Sequence, residues 1–431
     1  MKINIFWFRR DLRLDDNTGL VNTLNSGLPV LPVFIFDTNI TGELRSDDPR
    51  ISFIYSALYD INSGLQRSGS SLLLKTGDPE KIWQELILSY DINSVYINKD
   101  YEPYAIQRDN AIEALLRKKQ IKLLRFKDQV IFEEREILKS DNDPYTIFTP
   151  YKSRWLQKLA ENMPQKSIAV SDKNPGFFKS SYTFPSIEES GFRKSSEKVR
   201  AFDLSVIKDY HQTRDFPSID KTSYLSPHLR FGTVSIRKIL MLAIKENAVF
   251  LSELIWREFF MQILFNFPDV VTRNFKSKYD DIQWRNDEKE FERWCNGETG
   301  YQMVDAGMRQ LNKTGYMHNR VRMITAGFLC KHLLIDWRWG EAYFAEKLLD
   351  YELSSNNGNW QWAAGTGCDA APYFRIFNPS SQQKRFDPKK EYIRKWIEDF
   401  DKPSYPKPMI DHEFARQRAL AAYKSGIKQK L

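Results

Sequence analysis

The first 130 residues alternate between short apolar runs and stretches in which apolar residues recur at helical spacing. The apolar runs are INIFWF, VLPVFIFD, SLLLKTG, SVYINKD and IKLLRFKD, and the stretches between them include PEKIWQELILSY and YAIQRDNAIEALLRKK. Short apolar strands separated by amphipathic helices are typical of a parallel sheet that is covered on both faces. The pattern therefore predicts an α/β domain with a doubly wound parallel sheet over residues 1–130.

The pattern changes after residue 130 and again after Ala201. Residues 131–200 include PQKSIAVSDKNPGFFKSSYTFPSIEESGF, whose Ser, Lys and Pro content indicates a long linker that wraps a surface and is partly ordered by its phenylalanines. Helical periodicity dominates from there on, as in SELIWREFFMQILFNF and NRVRMITAGFLCKHLLIDW. We therefore expect an all-α C-terminal domain over residues 201–431.

The composition indicates the broad class of protein but does not identify its function. A hydrophobic content of 42% and a charged content of 28% are ordinary for a soluble protein, and no run of apolar residues is long enough to span a membrane. The N-terminal stretch MKINIFWFRRDLRL lacks the features of a secretion signal, so we expect a cytoplasmic protein. Three dispersed cysteines and five scattered histidines predict reduced thiols and no metal site.

The net charge and the aromatic content give some information about possible ligands. The net charge of +8 permits a polyanionic partner but does not require one. The aromatic content of 14%, with 11 tryptophans, indicates either stacking on flat ligands or a large helical core.

The usual signature of a dinucleotide site is absent from the sequence. After the first apolar run, FWFRRDLRLDDN has arginines where a phosphate-binding turn needs glycines. GTGCDA, residues 365–370, fits G-x-G-x-x-A, but it follows a helical tryptophan segment rather than a strand. The N-terminal domain therefore has nucleotide-binding architecture without the glycine-rich loop.

The segment SSNNGNWQWAAGTGCDAAPYFRIFNP, residues 354–379, combines amides and indoles with few charged groups. On a helix, Trp360 and Trp362 are separated by about 200° and cannot share one stacking slot. Either both are core aromatics, or one faces the core while the other faces a cavity.

A carboxylate, an indole and a guanidinium share one helical face in ELIWREF, where Glu253 precedes Trp256 by three positions and Arg257 by four. The ordinary interpretation is an intrahelical ion pair on a solvated surface. The alternative is a pocket wall that hydrogen-bonds the edge of a base while the indole stacks on its ring.

Two further segments have a structural and a functional interpretation. MHNRVRM places Asn319 and Met323 on one face and leaves Arg320 and Arg322 either solvated or available to phosphate. TSYLSPHLRFG, residues 222–232, supplies hydroxyl groups before a predicted helix, as an N-cap or as a cradle for an anion.

Together these segments resemble the photolyase/cryptochrome family, and most closely its class I cyclobutane pyrimidine dimer DNA photolyases. The resemblance is carried by WFRRDLRLDDN, IWREFF, TGYQMVDAGMRQL, GYMHNRVRMITAGFL, DWRWGEAYF, NNGNWQWAAGTG and RIFNPSSQ, which span nearly the whole chain. It implies an α/β antenna domain over residues 1–130, an interdomain linker over 131–200, and a helical FAD-binding and DNA-repair domain over 201–431.

The resemblance also implies a cofactor site. Carried over by position, the residues that bind FAD are Tyr210, Thr222, Ser223, Tyr224, Leu225, Ser226, Arg257, Asp350, Glu352 and Asn356. Arg257 would lie near the phosphates, Asp350 and Glu352 would approach the ribityl and isoalloxazine groups, and the Asn356 amide would lie at the flavin N5.

The implied reaction is light-dependent repair of cyclobutane pyrimidine dimers by electron transfer from excited FADH⁻ to a flipped-out dimer. Trp360, Trp337 and Trp284 would form the electron path that reduces FAD under light. Glu253 would stabilise the dimer after it accepts the electron. The remaining implied residues contact damaged DNA: Arg214, Trp256, Asn319, Arg320, Met323, Trp362, Arg375 and Gln382.

Some expectations differ from the family pattern or stay open. Tyr104 and Ala105 replace the amide and carboxylate of folate-binding members, so a second chromophore of deazaflavin or flavin type is more plausible than a folate, and its identity stays open. The alternatives are a cryptochrome-type blue-light receptor, a (6-4) photolyase, which would need a histidine where Met323 stands, and a member restricted to single strands. The expected partner is UV-damaged DNA, with no obligate protein partner and a monomeric chain.

Overall fold

The computed structural model describes residues 1–164 and 176–428, which form two units. Unit 1 comprises residues 1–136, 156–202 and 224–245, and unit 2 comprises residues 137–155, 203–223 and 246–431. The predicted domain ranges 1–130, 131–200 and 201–431 remain a prediction. Residues 165–175 of the predicted linker lie outside the described part of the chain.

The regular elements follow the alternation and then the helical run that the sequence predicts. The strands are β1 (Ile3–Phe8), β2 (Val30–Asp37), β3 (Leu73–Gly77), β4 (Ile92–Asn98) and β5 (Lys122–Phe126). The helices are α1 (Thr18–Leu24), α2 (Thr38–Thr41), α3 (Pro49–Gln66), α4 (Pro79–Ser89), α5 (Pro103–Arg117), α6 (Phe148–Glu161), α7 (Tyr210–Thr213), α8 (Ser226–Phe231), α9 (Ile236–Glu246), α10 (Ala248–Asn266), α11 (Glu288–Asn296), α12 (Gln302–Thr314), α13 (Asn319–Gly327), α14 (Trp337–Lys347), α15 (Leu353–Ala364), α16 (Pro379–Phe386), α17 (Glu391–Trp396) and α18 (His412–Lys428). A π-helical segment covers Phe328–Leu333, and short 3₁₀ turns cover Ser205–Asp209, Pro217–Ile219, Pro268–Val271 and Ser277–Tyr279.

The sheet of unit 1 is parallel throughout, with strand order β3-β2-β1-β4-β5. Alternate residues of β1 enter two different cores: Ile5 and Trp7 pack with residues of α4 and α5, while Phe6 and Phe8 pack with residues of α1 and α3. Because both faces of the sheet are covered, β1 and β2 are buried along their whole length. The predicted doubly wound α/β fold is confirmed.

Polar side chains occupy the crevice where doubly wound sheets commonly bind ligands, between the carboxyl ends of β1 and β4. The Asn98 amide donates to Asp11 at 2.6 Å and to Asn17 at 2.8 Å, and its oxygen accepts from the Gly19 backbone at 2.8 Å. A Cβ on Gly19 would lie 2.7 Å from the Asn98 side-chain oxygen, so only glycine allows this approach. Side-chain hydrogen bonds thus occupy this crevice, and no glycine-rich phosphate loop follows β1.

The described part of the linker packs on unit 1 through its aromatic side chains. Phe177 and Phe184 contact one core of the sheet, and Phe178 contacts the other. The backbone of Val30 pairs with Gly176 and Phe178 at 3.1 and 2.8 Å. The linker residues 176–192 therefore wrap the surface of the sheet domain and are ordered by their phenylalanines.

Unit 2 is almost entirely helical, and α15 lies at its centre between α10 and α14. Two glycines permit the close packing. A Cβ on Gly358 would lie 2.2 Å from the Phe260 ring of α10, and a Cβ on Gly340 of α14 would lie 2.1 Å from the Trp360 ring of α15. Among the helices of residues 1–164 and 176–428, none has both the length and the apolar character needed to span a lipid bilayer.

Candidate functional site

Helix α15 presents two tryptophans to different surroundings. Trp360 is 2% exposed and belongs to the main helical core, whereas Trp362 is half-buried. The helix ends at Gly365, whose φ of 84° is in the left-handed region that glycine adopts without strain. The structure therefore distinguishes the two indoles by burial, since Trp360 lies in the core and Trp362 keeps part of its surface exposed.

A cleft that encloses about 600 Å³, including its open mouth, lies beside α15. Its lining contains the predicted site residues Asn319, Met323, Asp350, Glu352, Asn356, Trp360 and Trp362. Arg322, Tyr351, Ser355 and Asn359 add polar groups, and Phe344 and Leu348 add an apolar wall. Residues that are far apart in the sequence thus form one concave surface with both apolar and hydrogen-bonding character.

The Asn356 amide is oriented by Glu341 of α14. Its nitrogen donates to the Glu341 backbone oxygen at 3.1 Å and to the Glu341 carboxylate at 2.8 Å. Burial raises the pKa of Glu341, while the bond from Asn356 opposes that rise. Because both bonds use the amide nitrogen, the amide oxygen is the atom that Asn356 can offer to a ligand in the cleft.

Each carboxylate of the cleft lies near an arginine. Arg322 contacts Asp350 at 2.9 Å and donates to the backbone oxygen of Met317 at 2.8 Å. Arg257 lies 3.9 Å from Glu352. The arginines place positive charge beside the two carboxylates in a partly buried site, and they limit how far the carboxylates can turn.

Glu253 contacts Arg214, with 2.6 Å between Nη1 and the carboxylate. Arg214 also lies over the Tyr210 ring at 5.2 Å. Burial alone would lower the pKa of Arg214, but Glu253, together with Tyr210 and Asp215, opposes burial and the pKa is raised. Glu253 therefore has an ion-pair partner on a different segment of the chain.

Trp256 is part of an aromatic stack. The Phe148 ring lies parallel to it, with centroids 3.6 Å apart and planes 8° apart, and Phe260 lies 5.4 Å away at 28°. The backbone nitrogen of Phe148 donates to Asp369 at 3.2 Å. One face of the Trp256 indole is thus covered, so any base that stacks on Trp256 needs a face that Phe148 leaves open.

The predicted phosphate-contacting residues are more dispersed. Arg320 pairs with Asp215 and lies 4.4 Å over the Phe386 ring. Arg375 is exposed and Gln382 is half-exposed at the start of α16. Arg375 lines a second, smaller cavity together with Met323 and Trp362, and Met323 and Trp362 also line the first cleft.

Trp337 begins α14 and is almost fully buried, with its indole nitrogen 2.8 Å from the side-chain oxygen of Asn274. Gly340, which receives the Trp360 ring, is one helical turn further along, about 4.5 Å by the helical rise. Trp360 and Trp337 therefore lie on facing helices within about one turn of each other.

Trp284 lies beside the segment that leads into α14. The backbone nitrogen of Arg285 donates to Leu334 at 2.8 Å, and that of Asp336 donates to the Asn286 side chain at 2.9 Å. The structure thus places the segments of Trp360, Trp337 and Trp284 next to one another in the order in which the resemblance lists them.

The remaining predicted cofactor residues fall in two units. Thr222 and Ser223 belong to unit 2, and the Ser223 backbone oxygen accepts from Asp203 at 2.9 Å. Tyr224, Leu225 and Ser226 belong to unit 1. Leu225 is the N-cap residue of α8 and Ser226 is already inside the helix, so the hydroxyl N-cap considered for this segment does not form.

Two family models match this chain: one described as DNA photolyase over residues 4–168, and one described as the FAD binding domain of DNA photolyase over residues 250–404. A deoxyribodipyrimidine photo-lyase from Agrobacterium fabrum is 36% identical over 97% of both chains. The chain belongs to the DNA photolyase family.

Among solved structures, a class III photolyase from Agrobacterium tumefaciens matches with a TM-score of 0.84 and 33% identity, covering 99% of this chain and 98% of that chain. An archaeal photolyase from Sulfolobus tokodaii with two FAD molecules also matches with a TM-score of 0.84 and 33% identity, covering 99% of this chain and all of that chain.

The chemistry of the cleft fits the FAD that the family binds. A flavin ring presents N–H donors and carbonyl acceptors at the edge of a flat apolar surface. The cleft offers carboxylates at Asp350 and Glu352, an oriented amide at Asn356, and the aromatic walls of Phe344 and Trp360. We find in this family member the acceptors, the amide and the apolar surface that such a ring requires.

The sequence interpretation missed several residues of this site. Glu341 lies in the quoted motif DWRWGEAYF, and its signal was a carboxylate four residues after Trp337 on a helix that packs on α15. Phe148 gave no signal, because its contact with Trp256 joins segments more than 100 residues apart. Lys331 lies in an apolar stretch of the sequence, and a lysine at such a position could have indicated a buried charge.

Lys331 is buried in the π-helical segment and joins the end of α15 to the loop that carries Arg375. Its ammonium donates to the backbone oxygens of Ala364 at 2.6 Å and Tyr373 at 3.4 Å, and it lies 3.7 Å from the centre of the Tyr423 ring. Burial nevertheless lowers the pKa of Lys331 to about 7 from its ordinary value of 10.5.

Lys331→Met is expected to change the pH dependence of stability. Between pH of about 7 and 10.5 the unfolded chain binds the Lys331 proton and the folded chain does not. This group therefore raises the free energy of unfolding of the parent by about 1.4 kcal/mol per pH unit as the pH rises through that window. Urea unfolding of parent and variant across the window measures the difference. Lys347→Met, at the exposed end of α14, serves as the control, and a difference that is independent of pH would contradict the assignment.

Proposed function

We propose that this chain is a light-dependent lyase that repairs cyclobutane pyrimidine dimers in DNA. The observation that carries the proposal is the single cleft whose lining includes Asn319, Met323, Asn356, Trp360 and Trp362. The relative from Agrobacterium fabrum is named deoxyribodipyrimidine photo-lyase, which supports the same reaction.

The cofactor and the substrate occupy adjoining parts of the site. Reduced FAD, when bound, would supply the electron that light transfers to the dimer, and the electron would return to the cofactor once the dimer has split into two pyrimidines. Asp350, Glu352 and Asn356 hold the flavin end, with Arg257 near the phosphates. Tyr210, Thr222, Ser223, Tyr224, Leu225 and Ser226 complete the proposed FAD-binding set.

The substrate side accepts bases that have left the duplex. Photolyases are among the enzymes that extrude their target from the stack, and a damaged pair costs less to open. In this proposal Trp362 and Trp256 stack on the dimer. Asn319 and Glu253 hydrogen-bond the pyrimidine edges, and Met323 packs against them. Arg214 holds the Glu253 carboxylate in place, as the 2.6 Å contact indicates.

The backbone of the DNA is held by cations and amides, which position the strand without reading its sequence. Arg214, Arg320, Arg375 and Gln382 are the proposed contacts. The net charge of +8 suits this polyanion. We propose that the chain acts as a cytoplasmic monomer without an obligate protein partner.

His318 supports a cyclobutane dimer rather than a (6-4) photoproduct as the substrate. It is the N-cap residue of α13 and accepts from the backbone nitrogen of Arg320 at 3.2 Å. Burial, followed by Arg320 and Arg322, lowers the pKa of His318 to about 4. At neutral pH this imidazole is therefore uncharged, and Met323 stands where a (6-4) photolyase would need its histidine.

The second chromophore is proposed to be of deazaflavin or flavin type. Tyr104 donates its hydroxyl to Asp37 at 2.8 Å, and Ala105 is buried. Neither residue offers the amide or carboxylate that a folate would use. The absorption spectrum and mass of the extracted chromophores test this proposal.

Near-UV or blue light is expected to restore a dimer-containing oligonucleotide when the protein carries chemically reduced FAD. Glu253→Ala is expected to lower the dimers repaired per absorbed photon, with a smaller effect on binding. Chromatography of the oligonucleotide before and after illumination measures repair, with a dark sample as the control. An unchanged dimer content, with reduced FAD and substrate both bound, would contradict the proposed lyase function and favour a cryptochrome-type receptor.

A further inference from the structure

The loop that follows α15, residues 366–378, carries Arg375, one of the proposed contacts with the DNA backbone. The structure describes all of this loop, which consists of turns and irregular backbone up to the start of α16 at Pro379. Phe374 and Arg375 are exposed at its surface. Because a loop of this kind has few backbone hydrogen bonds of its own, the position of Arg375 depends on contacts with the surrounding helices.

Lys331 contacts the chain where the loop begins and again just before Arg375. Its ammonium group donates to the Ala364 backbone oxygen at 2.6 Å, at the end of α15, and to the Tyr373 backbone oxygen at 3.4 Å. A Cβ on Gly365 would lie 3.2 Å from the same ammonium nitrogen. One buried cation thus hydrogen-bonds two points of the chain on either side of the turn that Gly365 begins.

Tyr423 of α18 completes this contact. Its hydroxyl also donates to the Ala364 backbone oxygen, at 2.6 Å, and its ring lies parallel to that of Tyr373 with centroids 5.7 Å apart and planes 4° apart. The Lys331 ammonium lies 3.7 Å from the centre of the Tyr423 ring. Lys331, Tyr423 and Tyr373 therefore form a loop anchor, which joins the loop to the π-helical segment and to α18.

The loop anchor adjoins the surface that is proposed to bind the dimer. Lys331 and Arg375 line the same small cavity, and Met323 and Trp362 line it with them. A shift of the loop away from Lys331 would therefore change the distance between Arg375 and Trp362, which are proposed to hold the backbone and the base of the same lesion.

We propose that Lys331 is a positioning residue for DNA binding, whose charged ammonium group holds the loop so that Arg375 meets a phosphodiester beside the dimer. The inference rests on the proposed function, in which Arg375 contacts the DNA backbone. Lys331 is 3% exposed and does not itself touch DNA in this proposal. A neutral amine donates more weakly to the two carbonyl groups and loses its cation–π contact with Tyr423, so the loop anchor weakens.

The charge of Lys331 is compensated by carbonyl groups and an aromatic ring. Burial lowers the pKa of Lys331 to about 7, and it raises the pKa of Cys330 and of Tyr423 above their ordinary values, so both of these neighbours are neutral. The titratable groups around the loop anchor lie on several elements: Cys330 on the π-helical segment, Tyr423 on α18, Tyr373 on the loop, Tyr279 in a 3₁₀ turn, and Asp336 before α14.

Bound DNA favours the charged form of Lys331. A phosphodiester at Arg375 brings negative charge towards the loop anchor, and negative charge raises the pKa of an ammonium group. Binding is therefore accompanied by uptake of a proton at Lys331 when the pH is above about 7. The affinity for damaged DNA is full below this pH and falls as the pH rises, by up to about tenfold per pH unit for one linked proton.

The pH dependence of binding tests the role of the charge. The dissociation constant of FAD-loaded protein for a dimer-containing oligonucleotide is measured by fluorescence anisotropy in the dark, from about pH 6 to about pH 9. The parent is expected to bind more weakly as the pH rises. Lys331→Met, which carries no charge, is expected to bind weakly throughout, and Lys331→Arg, which is always charged, is expected to keep its affinity. A parent whose pH profile matches that of Lys331→Met would overturn the proposal.

The salt dependence of binding separates positioning from packing. A residue that only fills the core would change stability and leave the phosphate contacts as they are. Lys331→Met and Arg375→Ala are each expected to lower the slope of log Kd against log salt by about one phosphate contact, and the combined variant is expected to lose no more than either alone. An unchanged slope in Lys331→Met, or additive losses in the combined variant, would contradict the positioning role.

Arg375→Ala separates failure of this inference from failure of the proposed function. If Arg375→Ala binds the dimer-containing oligonucleotide as the parent does, the proposed phosphate contact is wrong and the inference fails with it. If Arg375→Ala weakens binding while Lys331→Met keeps the affinity, salt slope and pH profile of the parent, the inference alone fails. The control is Lys347→Met at the end of α14, where the ammonium pairs with Glu346 at 2.8 Å, and this variant is expected to keep the pH profile of the parent.

Discussion

Trp362→Ala is expected to weaken the binding of a dimer-containing oligonucleotide by roughly 5- to 150-fold, because aromatic stacking contributes about 1–3 kcal/mol per base. Trp362 is half-buried, forms part of both cavities and has surface left for a ligand. Fluorescence anisotropy of a labelled oligonucleotide, measured in the dark, reports the dissociation constant without any photochemistry.

The control for this prediction is Phe414→Ala. Phe414 is an aromatic residue of α18 that is 59% exposed and does not line either cavity. The Phe414→Ala variant is expected to bind the damaged strand with the same dissociation constant as the parent. An undamaged oligonucleotide shows whether the loss is specific to the dimer. Equal dissociation constants for Trp362→Ala and the parent would mean that Trp362 does not contact the lesion.

Trp360→Phe is expected to slow the light-driven reduction of bound oxidised FAD by at least about tenfold, since an increase of only 1.4 kcal/mol in the barrier is sufficient. Phenylalanine preserves much of the ring packing against Gly340, but it is far harder to oxidise than an indole. The absorption of oxidised flavin, followed during illumination with an external thiol present, measures the rate.

The variant should still bind FAD and should still repair dimers once the flavin has been reduced chemically. These two results separate loss of the electron path from loss of the cofactor site. If the variant and the parent photoreduce at the same rate, Trp360 is not the first donor, and the path through Trp337 and Trp284 fails with it.

The elements of the sheet domain were accessible from the sequence because their signals are local. INIFWF and VLPVFIFD predict β1 and β2 to the residue. The strands β3, β4 and β5 lie within or overlap the predicted runs, with ends that differ by a few residues. A central strand of a parallel sheet is buried on both faces, so its residues form a short, nearly continuous apolar run between turns.

The polar contacts of the site could not be predicted from the sequence in the same way. Spacing alone allowed Glu253 to pair with Arg257 on one helical face, but Glu253 contacts Arg214 and Arg257 lies near Glu352. Spacing also could not show that Phe148 covers a face of Trp256. Each of these contacts joins segments that only the folded chain brings together.

By itself, the sequence determined the order of strands and helices, the buried faces of those elements, and membership of a family through motifs that span the chain. The tertiary structure alone decided which of the charged and aromatic side chains meet: Glu341 with Asn356, Arg322 with Asp350, and Trp294 with Trp360. The physical reason is that hydrophobic burial follows a local period along the chain. The partner of a polar or aromatic group depends instead on the packing of helices that are distant in the sequence.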